Sequence, residues 1–235
     1  MENPQPPHAF SKAHLSQDGF FWWHIIGLLA LIAAGWLFLG MAEDVVSGDQ
    51  ITLVDAQLAA WFHAHATPQF TQFMLVVSNL QGILAMSIYA LLLGIFLLRK
   101  KQRYWLLALV LAVPGGMLLN VFMKEIFNRA RPGFTDPLVT LTTYSFPSGH
   151  VAGATLFYGV LAAYLIAHIS KWRWRIAVVM TAILLVVLVA LSRLYLGAHY
   201  LSDVLGAAAE GVAWLALCLT VTHILWQRRA ARLTP

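Results

Sequence analysis

Residues 174–203 read WRIAVVMTAILLVVLVALSRLYLGAHYLSD, and this stretch decides the fold because a long apolar run leads directly into charged and titratable side chains. No charged residue lies between Arg175 and Arg193. That length is close to the ~20 apolar residues with which a helix crosses a bilayer while satisfying its own backbone hydrogen bonds. We therefore interpret the run as a membrane-spanning helix, with Arg193, His199 and Asp203 at one membrane face.

The same kind of apolar run recurs along the whole chain. The runs cover approximately residues 22–41, 73–98, 104–123, 151–169, 174–192 and 204–226. Hydrophobic residues make up 60% of the 235 residues and charged residues 11%, whereas soluble domains contain roughly 25% charged residues. Because charge is expensive in lipid, we predict an all-α, polytopic integral membrane protein with six transmembrane helices.

The length of the chain predicts a single membrane domain, which we place at 19–228. Residues 1–18 are polar and contain several prolines, and we expect them to form a mobile tail rather than a cleaved signal peptide. Residues 229–235 are expected to form a basic cytoplasmic tail. The single cysteine, Cys218, lies in an apolar run and cannot form an intrachain disulfide.

The basic residues predict the orientation of the chain in the membrane. Most of the 15 Lys and Arg residues lie in short segments on one side of the predicted helices, so the positive-inside rule places both termini in the cytoplasm. The same clustering accounts for the net charge of +5 without a nucleic-acid partner, and we expect none. Four basic residues lie on the other side: Lys124, Arg129, Arg131 and Arg193.

The outer segment 43–70 carries acidic residues and no Lys or Arg. Within it, apolar residues recur at helical spacing: Leu53, Val54, Leu58, Trp61 and Phe62. We consider two interpretations of this short amphipathic helix. It lies on the outer membrane surface, or it packs against the outer loops.

Three short patterns share the predicted outer face. They are Lys124-x6-Arg131-Pro132, Pro147-Ser148-Gly149-His150 and Ser192-Arg193-x5-His199-x3-Asp203. Each falls at the outer end of a predicted helix, so segments far apart in sequence are expected to meet at the depth of a lipid phosphate group. Three of the four basic residues that depart from the charge rule therefore belong to a candidate site.

Three cations of these patterns, Lys124, Arg131 and Arg193, are candidates for binding phosphoryl oxygens, which suit both the guanidinium fork and the ammonium point charge. The alternative is that they are interfacial charges that snorkel to water. Ser148 and Gly149 precede a predicted helix, where they cap the helix, bind an anion at its N-terminus, or do both.

The two histidines are the reactive candidates. Phosphoryl transfer needs a nucleophile and an acid, and Asp203 lies four residues after His199, where it can orient the ring. His150 has no carboxylate nearby in sequence, which suits the acid role. Two alternatives are that the histidines only form interfacial hydrogen bonds, or that His199 and Asp203 hold a cation, although neighbouring positive charges would repel a metal. We interpret Glu210, two turns further along, as a buried structural hydrogen-bonding group instead of a catalytic one, and we expect Asn120, one turn inward of Lys124, to belong to a similar polar network.

The three patterns together resemble the signature of the type 2 phosphatidic acid phosphatase superfamily, also called the lipid phosphate phosphatases, and match it at every defining position. The resemblance implies that His199 is a nucleophile that forms a phosphohistidine, that Asp203 orients it, and that His150 protonates the leaving group and then activates water. It implies no metal or other cofactor. The residues that it implies hold the phosphoryl group are Lys124, Arg131, Ser148, the Gly149 amide and Arg193.

From this resemblance we expect a bacterial inner-membrane lipid phosphatase whose active site faces the periplasm. The expected substrates are undecaprenyl diphosphate, phosphatidylglycerophosphate or phosphatidic acid, and no protein partner is implied. The alternatives with the same site are a lipid phosphotransferase and a lipid A phosphatase. A further alternative of another class is a non-catalytic protein that binds or transports anionic lipids.

Overall fold

A computed structural model describes residues 17–233 of the chain, with the side chains of residues 24–232. Over that range the chain forms eight helices and no strand. The helices are α1 (Gln17–Ser47), α2 (Gln50–Ala64), α3 (Pro68–Leu80), α4 (Ile83–Arg99), α5 (Arg103–Phe127), α6 (Gly149–His168), α7 (Trp172–Tyr195) and α8 (Leu201–Leu233).

Five of these helices, α1, α5, α6, α7 and α8, are long and apolar enough to cross a membrane, and the bent pair α3 and α4 makes a sixth crossing if it is counted as one. The prediction of an all-α integral membrane protein is therefore confirmed. Large apolar side chains cover the outside of the bundle, as expected where helices face lipid. Examples are Trp36, Leu84, Leu118, Trp172 and Leu184.

The second helix was predicted as one continuous run, 73–98, but the structure divides it into two helices. The helix is interrupted at Gln81 and Gly82, and α3 and α4 meet there at an angle of 43°. A Cβ atom at Gly82 would lie 3.2 Å from the carbonyl oxygen of Asn79, so the tight approach at the break favours glycine. The side-chain Nε2 of Gln81 donates to the Tyr158 hydroxyl over 2.7 Å, and this hydrogen bond connects the break to α6.

Helices α5, α6 and α8 form the centre of the bundle, with α1 along α8, α7 against α6, and α4 against α5 and α6. Small residues let these helices approach closely. A Cβ atom at Gly211 of α8 would lie 2.9 Å from Thr155 of α6, and one at Gly206 would lie 2.6 Å from the ring of Phe146. The main apolar core includes Leu97, Trp105, Leu109, Leu156 and Val160.

The outer segment 43–70 forms α2 and the start of α3. Leu58 and Phe62 of α2 pack against the apolar cluster between α6, α7 and α8. Leu53 and Trp61 remain more than half exposed. The helix therefore packs against the bundle with one face and leaves the other face apolar and open.

The ends of the chain differ from the predicted boundaries. Helix α8 continues to Leu233, so residues 229–233 extend the last helix rather than forming a separate tail. Of the predicted tail 1–18, only Gln17 and Asp18 fall within the described residues, where they begin α1.

Candidate active site

The residues of the three patterns meet where α5, α6 and α7 end or begin beside the start of α8. The loop between α5 and α6, residues 128–148, crosses this region and is hydrogen-bonded to both sides of it. The Ser148 amide donates to the Asp203 carbonyl oxygen over 3.1 Å, and Ser145 N donates to the Arg129 carbonyl oxygen over 2.8 Å. The structure thus brings the three patterns, which are spread over 80 positions of sequence, into one site.

The predicted histidine–carboxylate contact is present, but His199 precedes the helix. Because α8 begins at Leu201, His199 lies in the turn after α7, and the contact crosses that turn instead of following a helical face. His199 Nδ1 lies 3.4 Å from Asp203 Oδ2, at the outer limit of a hydrogen bond. Such contacts are often long before substrate binds. Gly197 gives the turn its left-handed residue, with φ of +63°.

The Asp203 carboxylate is fully buried and receives several other donors. Its Oδ2 accepts from the Ser145 hydroxyl over 2.5 Å and from the Tyr200 amide over 2.8 Å. Its Oδ1 accepts from Arg129 Nη1 over 2.5 Å. A buried charge is tolerated only when it is paired and hydrogen-bonded, and these contacts meet that requirement.

Arg131 contacts the other nitrogen of the His199 ring. Its Nη1 lies 3.2 Å from His199 Nε2 and 2.6 Å from the Ala198 carbonyl oxygen, and its Nε donates to the Thr143 carbonyl oxygen over 2.6 Å. Because a guanidinium only donates, Nε2 is assigned as the acceptor, which places the ring proton on Nδ1 beside Asp203. This tautomer places the ring lone pair on Nε2, on the side that faces Arg131.

Burial lowers the pKa of His199 to about 4, although the hydrogen bond and charge of Asp203 act in the opposite direction. The nearby positive charges of Arg131 and Arg193 lower this pKa further. The His199 imidazole is therefore neutral at pH 7, which is the protonation state that a nitrogen nucleophile requires.

The other two predicted cations are buried near the same point. Lys124 Nζ donates to the carbonyl oxygens of Tyr144 and Ser145 over 2.8 and 3.3 Å. Arg193 donates through Nη1 to the Ser78 hydroxyl of α3. Its Nε and Nη2 are buried and make no hydrogen bond with another described residue. Buried donors without a protein partner are uncommon and suit the binding of an anion.

Ser148 and Gly149 lie where α6 begins. The Ser148 hydroxyl is buried, does not cap the helix, and has no hydrogen-bond partner among residues 24–232. A Cβ atom at Gly149 would lie 3.3 Å from Asn120 Oδ1, so this position is closely packed. The amide groups of the first turn, with the positive end of the helix dipole, favour an anion here.

His150 follows on the first turn of α6 and is partly exposed. It lies close enough to Arg193 and His199 for their charges to act on its imidazole. Its ring makes no hydrogen bond with a carboxylate in the described part of the chain, in contrast to the His199 ring, which lies beside Asp203. The two histidines therefore have different surroundings.

Glu210 forms a buried hydrogen bond, and its partner is Asn120. Asn120 Nδ2 donates to Glu210 Oε2 over 2.8 Å, between α5 and α8. Asn120 also borders Gly149. The pair lies one layer beneath the site and positions α5 against α8.

The sequence patterns did not indicate three residues that contact the site: Arg129, Ser145 and Asp55. Arg129 was the fourth basic residue on the predicted outer face, and that charge was the available signal. Ser145 lies just before the second pattern. Asp55 belongs to the acidic outer segment, but nothing in its spacing indicated a partner 74 positions further along the chain.

An apolar crevice of about 230 Å³ lies elsewhere, between α1, α5, α6 and α8. Gly27, Ala30, Ala163 and Ala216 are among the residues that line it. At 1.5 Å per residue, Ala216 is roughly 20 Å along α8 from Asp203. The crevice is therefore separate from the candidate site.

The fold and the site define a class: a helical membrane protein with a cluster of cations and two histidines at the ends of its central helices. The model of the PAP2 superfamily matches residues 103–227, which is more than half of the chain. The chain belongs to the PAP2 superfamily, and the resemblance carried by the three patterns is confirmed.

Two relatives carry names that concern lipid phosphates. Phosphatidylglycerophosphatase B of Bacillus subtilis (strain 168) is 39% identical over 122 residues, which cover 51% of this chain and 58% of the relative. An undecaprenyl-diphosphatase of Sulfolobus acidocaldarius is 29% identical over 127 residues, which cover 52% of this chain and 57% of the relative. The chain thus matches less than two thirds of the length of each.

A solved structure is similar over most of both chains. The crystal structure of a transmembrane PAP2-type phosphatidylglycerolphosphate phosphatase from Bacillus subtilis superposes with a TM-score of 0.72 and 27% sequence identity. The similarity covers 84% of this chain and 96% of that one. The helical arrangement described above is therefore that of a membrane PAP2 protein.

Proposed function

We propose that this protein is a membrane lipid phosphatase that hydrolyses a terminal phosphate from a lipid through a phosphohistidine intermediate on His199. The observation that carries the proposal is the position of the His199 ring, held between Asp203 on Nδ1 and Arg131 on Nε2. A neutral imidazole with its proton directed at a carboxylate is an activated nucleophile.

In the first step, His199 Nε2 attacks phosphorus, and the bond from phosphorus to the lipid oxygen breaks. A phosphoryl oxygen replaces Nε2 as an acceptor for Arg131. The proton on His199 Nδ1 stays beside Asp203, which stabilises the positive charge that develops on the ring. Protonated His150 gives its proton to the leaving oxygen, so the lipid departs as an alcohol or a monophosphate.

In the second step, neutral His150 accepts a proton from water, and the water oxygen attacks the phosphohistidine. The bond between phosphorus and Nε2 breaks, and inorganic phosphate leaves. His199 is then neutral and His150 is protonated, so both histidines have returned to their starting states.

Charge neutralisation is the main contribution that a protein makes to phosphoryl transfer. Lys124, Arg131 and Arg193 supply the positive charges. Nε and Nη2 of Arg193 and the Ser148 hydroxyl have no hydrogen-bond partner in the part of the chain that the structure describes, so they are the groups best placed to bond a phosphoryl group. The Gly149 amide at the start of α6 adds a backbone donor.

The proposed substrate lies in the outer leaflet. The positive-inside distribution of Lys and Arg supports a site facing the periplasm of a bacterial inner membrane, with both termini in the cytoplasm. The names of the two relatives favour phosphatidylglycerophosphate and undecaprenyl diphosphate as substrates, and phosphatidic acid is the third candidate.

The test is phosphate release by the full-length chain from detergent-solubilised undecaprenyl diphosphate, phosphatidylglycerophosphate, phosphatidic acid and a lipid A phosphate. Each is assayed with and without EDTA. The matched variants are His199→Ala and His168→Ala, since His168 is an exposed histidine at the far end of α6.

We expect EDTA-resistant release that is lost in His199→Ala and retained in His168→Ala. Release that survives in His199→Ala would overturn the mechanism. Transfer of the phosphate to a second lipid instead of water would convert the proposal to a phosphotransferase. No release or transfer with any lipid would favour an anionic-lipid binding protein.

A further inference from the structure

Asp55, on the short outer helix α2, is buried against the start of α8. Its side chain is 1% exposed, in a segment whose neighbouring apolar residues face outward. Asp55 Oδ1 accepts from the Ser202 amide over 2.9 Å, and Oδ2 accepts from the Ser202 hydroxyl over 2.5 Å. The helix outside the bundle is thereby connected to the residue that directly precedes Asp203.

Arg129 joins the two carboxylates. Its Nη2 donates to Asp55 Oδ2 over 2.7 Å, and its Nη1 donates to Asp203 Oδ1 over 2.5 Å. Nη1 also donates to the Ser202 hydroxyl over 2.7 Å, and the guanidinium lies 4.4 Å from the centre of the Tyr200 ring. Contacts on both nitrogens and on one face give Arg129 a single defined position.

We infer that Asp55 and Arg129 form a positioning pair, which holds the Asp203 carboxylate in the orientation that His199 requires and sets how much of its negative charge the His199 ring experiences. The inference rests on the proposed function. It adds a role for α2, which contributes none of the residues of the three patterns.

Arg129 differs from the cations proposed to bind phosphate. Both of its terminal nitrogens are engaged by carboxylates, whereas Arg193 has two buried nitrogens that find no partner among the described residues. A guanidinium held between two anions offers little net positive charge to a third. Arg129 therefore acts through Asp203 and not on the substrate.

The charges around His199 make the inference testable. The ring is faced by Asp203 from α8, by Arg131 from the loop, by Arg193 from α7, and by His150 from α6. Arg129 contacts Oδ1 of Asp203, whereas the His199 ring faces Oδ2. The positive charge of Arg129 offsets part of the negative charge of Asp203.

Removal of the Arg129 charge and removal of the Asp55 charge shift the His199 pKa in opposite directions. Without the Arg129 charge, Asp203 is less compensated and stabilises the imidazolium more, so the His199 pKa rises. Without the Asp55 charge, Arg129 offsets more of the negative charge of Asp203, so the His199 pKa falls. A role limited to fold stability predicts no such opposite shifts.

The experiment is an NMR titration of the full-length protein in detergent micelles, with ¹⁵N-labelled histidine. The His199 signal is assigned by its loss in His199→Ala. We expect Arg129→Gln to raise the His199 pKa by roughly half to one pH unit, and Asp55→Asn to lower it. Equal shifts in both variants, or no shift in Arg129→Gln, would overturn the inference.

Arg129→Lys keeps the charge and serves if Arg129→Gln does not fold. We expect its His199 pKa to remain within ~0.3 of the wild-type value while its turnover still falls, because a lysine cannot bridge both carboxylates in a fixed geometry. A rise equal to that expected of Arg129→Gln would contradict the charge argument.

Turnover supplies the second readout. We expect Arg129→Gln and Asp55→Asn to lower kcat ~10–100-fold, as residues that orient a catalytic group do, with KM changed less than ~3-fold. The matched controls are Arg173→Gln and Glu43→Gln, which remove exposed charges from residues outside the site and are expected to leave kcat unchanged. A rise in KM with unchanged kcat would instead assign Arg129 to substrate binding.

The two proposals fail separately. Absence of phosphate release by the wild-type chain, with the opposite NMR shifts present, would overturn the phosphatase proposal and leave the positioning pair intact. Normal release by the wild-type chain without those shifts would overturn the pair alone.

Discussion

The Ser145 hydroxyl donates to Asp203 Oδ2 over 2.5 Å, on the same oxygen that faces the His199 ring. This bond attaches the loop between α5 and α6 to the first turn of α8. The loop also carries Arg129 and Arg131, which contact Asp203 and His199. The position of one buried carboxylate therefore depends on a loop residue 58 positions earlier in the chain.

Ser145→Ala removes this donor and leaves the neighbouring contacts of Asp203 in place. A hydrogen bond to a charged group contributes about 1.5–3 kcal/mol, so we expect the free energy of unfolding to fall by that amount. We expect kcat to fall less than ~10-fold, because Arg129 and the Tyr200 amide still hold the carboxylate. Denaturant unfolding and initial rates provide the measurements.

The control is Ser87→Ala, at an exposed serine of α4. It should leave both the free energy of unfolding and kcat unchanged. A Ser145→Ala variant as stable as the wild type would show that the short contact contributes nothing to the folded state.

Asp203→Asn tests the orienting role of the carboxylate. The amide is similar in shape but can present its NH₂ group to the ring, which disfavours the tautomer with the proton on Nδ1. We expect kcat to fall ~10³–10⁴-fold, as in other histidine–carboxylate pairs. Inhibition by inorganic phosphate should be retained, because the groups proposed to bind phosphate are unchanged. A parallel loss of phosphate inhibition would mean that Asp203 maintains the whole site.

The pH dependence of activity follows from the lowered pKa of His199. Nucleophilic attack requires the neutral ring, so kcat/KM is expected to fall as the pH decreases through about 4, instead of through the ordinary value of 6.5. The measurement is kcat/KM between pH 3.5 and 8, with stability checked at each pH. An acidic limb centred near pH 6.5 would indicate that the nucleophile is not buried as described.

The lowered pKa of His199 also predicts how the free energy of unfolding depends on pH. Because the folded pKa lies below the unfolded one, the unfolded chain binds more protons between those two values. The contribution of neutral His199 to stability is therefore complete above about pH 6.5 and is lost as the pH falls towards 4. His199→Ala should show a smaller loss of stability than the wild type over that interval, as measured by thermal unfolding.

Gly206→Ala tests the close approach of α8 to the loop. The added methyl group would lie 2.6 Å from the Phe146 ring, and we expect a destabilisation of about 1–3 kcal/mol, which is typical of overpacking. The matched control is Gly35→Ala on α1, where nothing lies within 4 Å of the new Cβ atom. That variant should be stabilised by about 0.5–1 kcal/mol. Equal effects of the two variants on the unfolding temperature would contradict the packing described at Gly206.

The amino-acid sequence by itself determined the class of fold and the family. Bilayer thickness requires a fixed length of apolar chain, and that requirement is local, so the membrane-spanning helices could be predicted from composition and run length. The resemblance rested on Lys124, His150, His199 and their neighbours at fixed spacings, and it is confirmed at the level of the family. The membrane orientation and the roles of the site residues stay predictions.

Only the tertiary structure decided how Asp55, Arg129 and Ser145 approach Asp203. Each bond joins residues 58 to 147 positions apart, and its formation depends on how α2 and the 128–148 loop pack onto α8. No spacing along one helix encodes such contacts, because they depend on the relative placement of separate elements. The break between α3 and α4 has a similar origin, since the apolar run continues through it and the hydrogen bond that connects it to α6, from Gln81 to Tyr158, joins residues 77 positions apart.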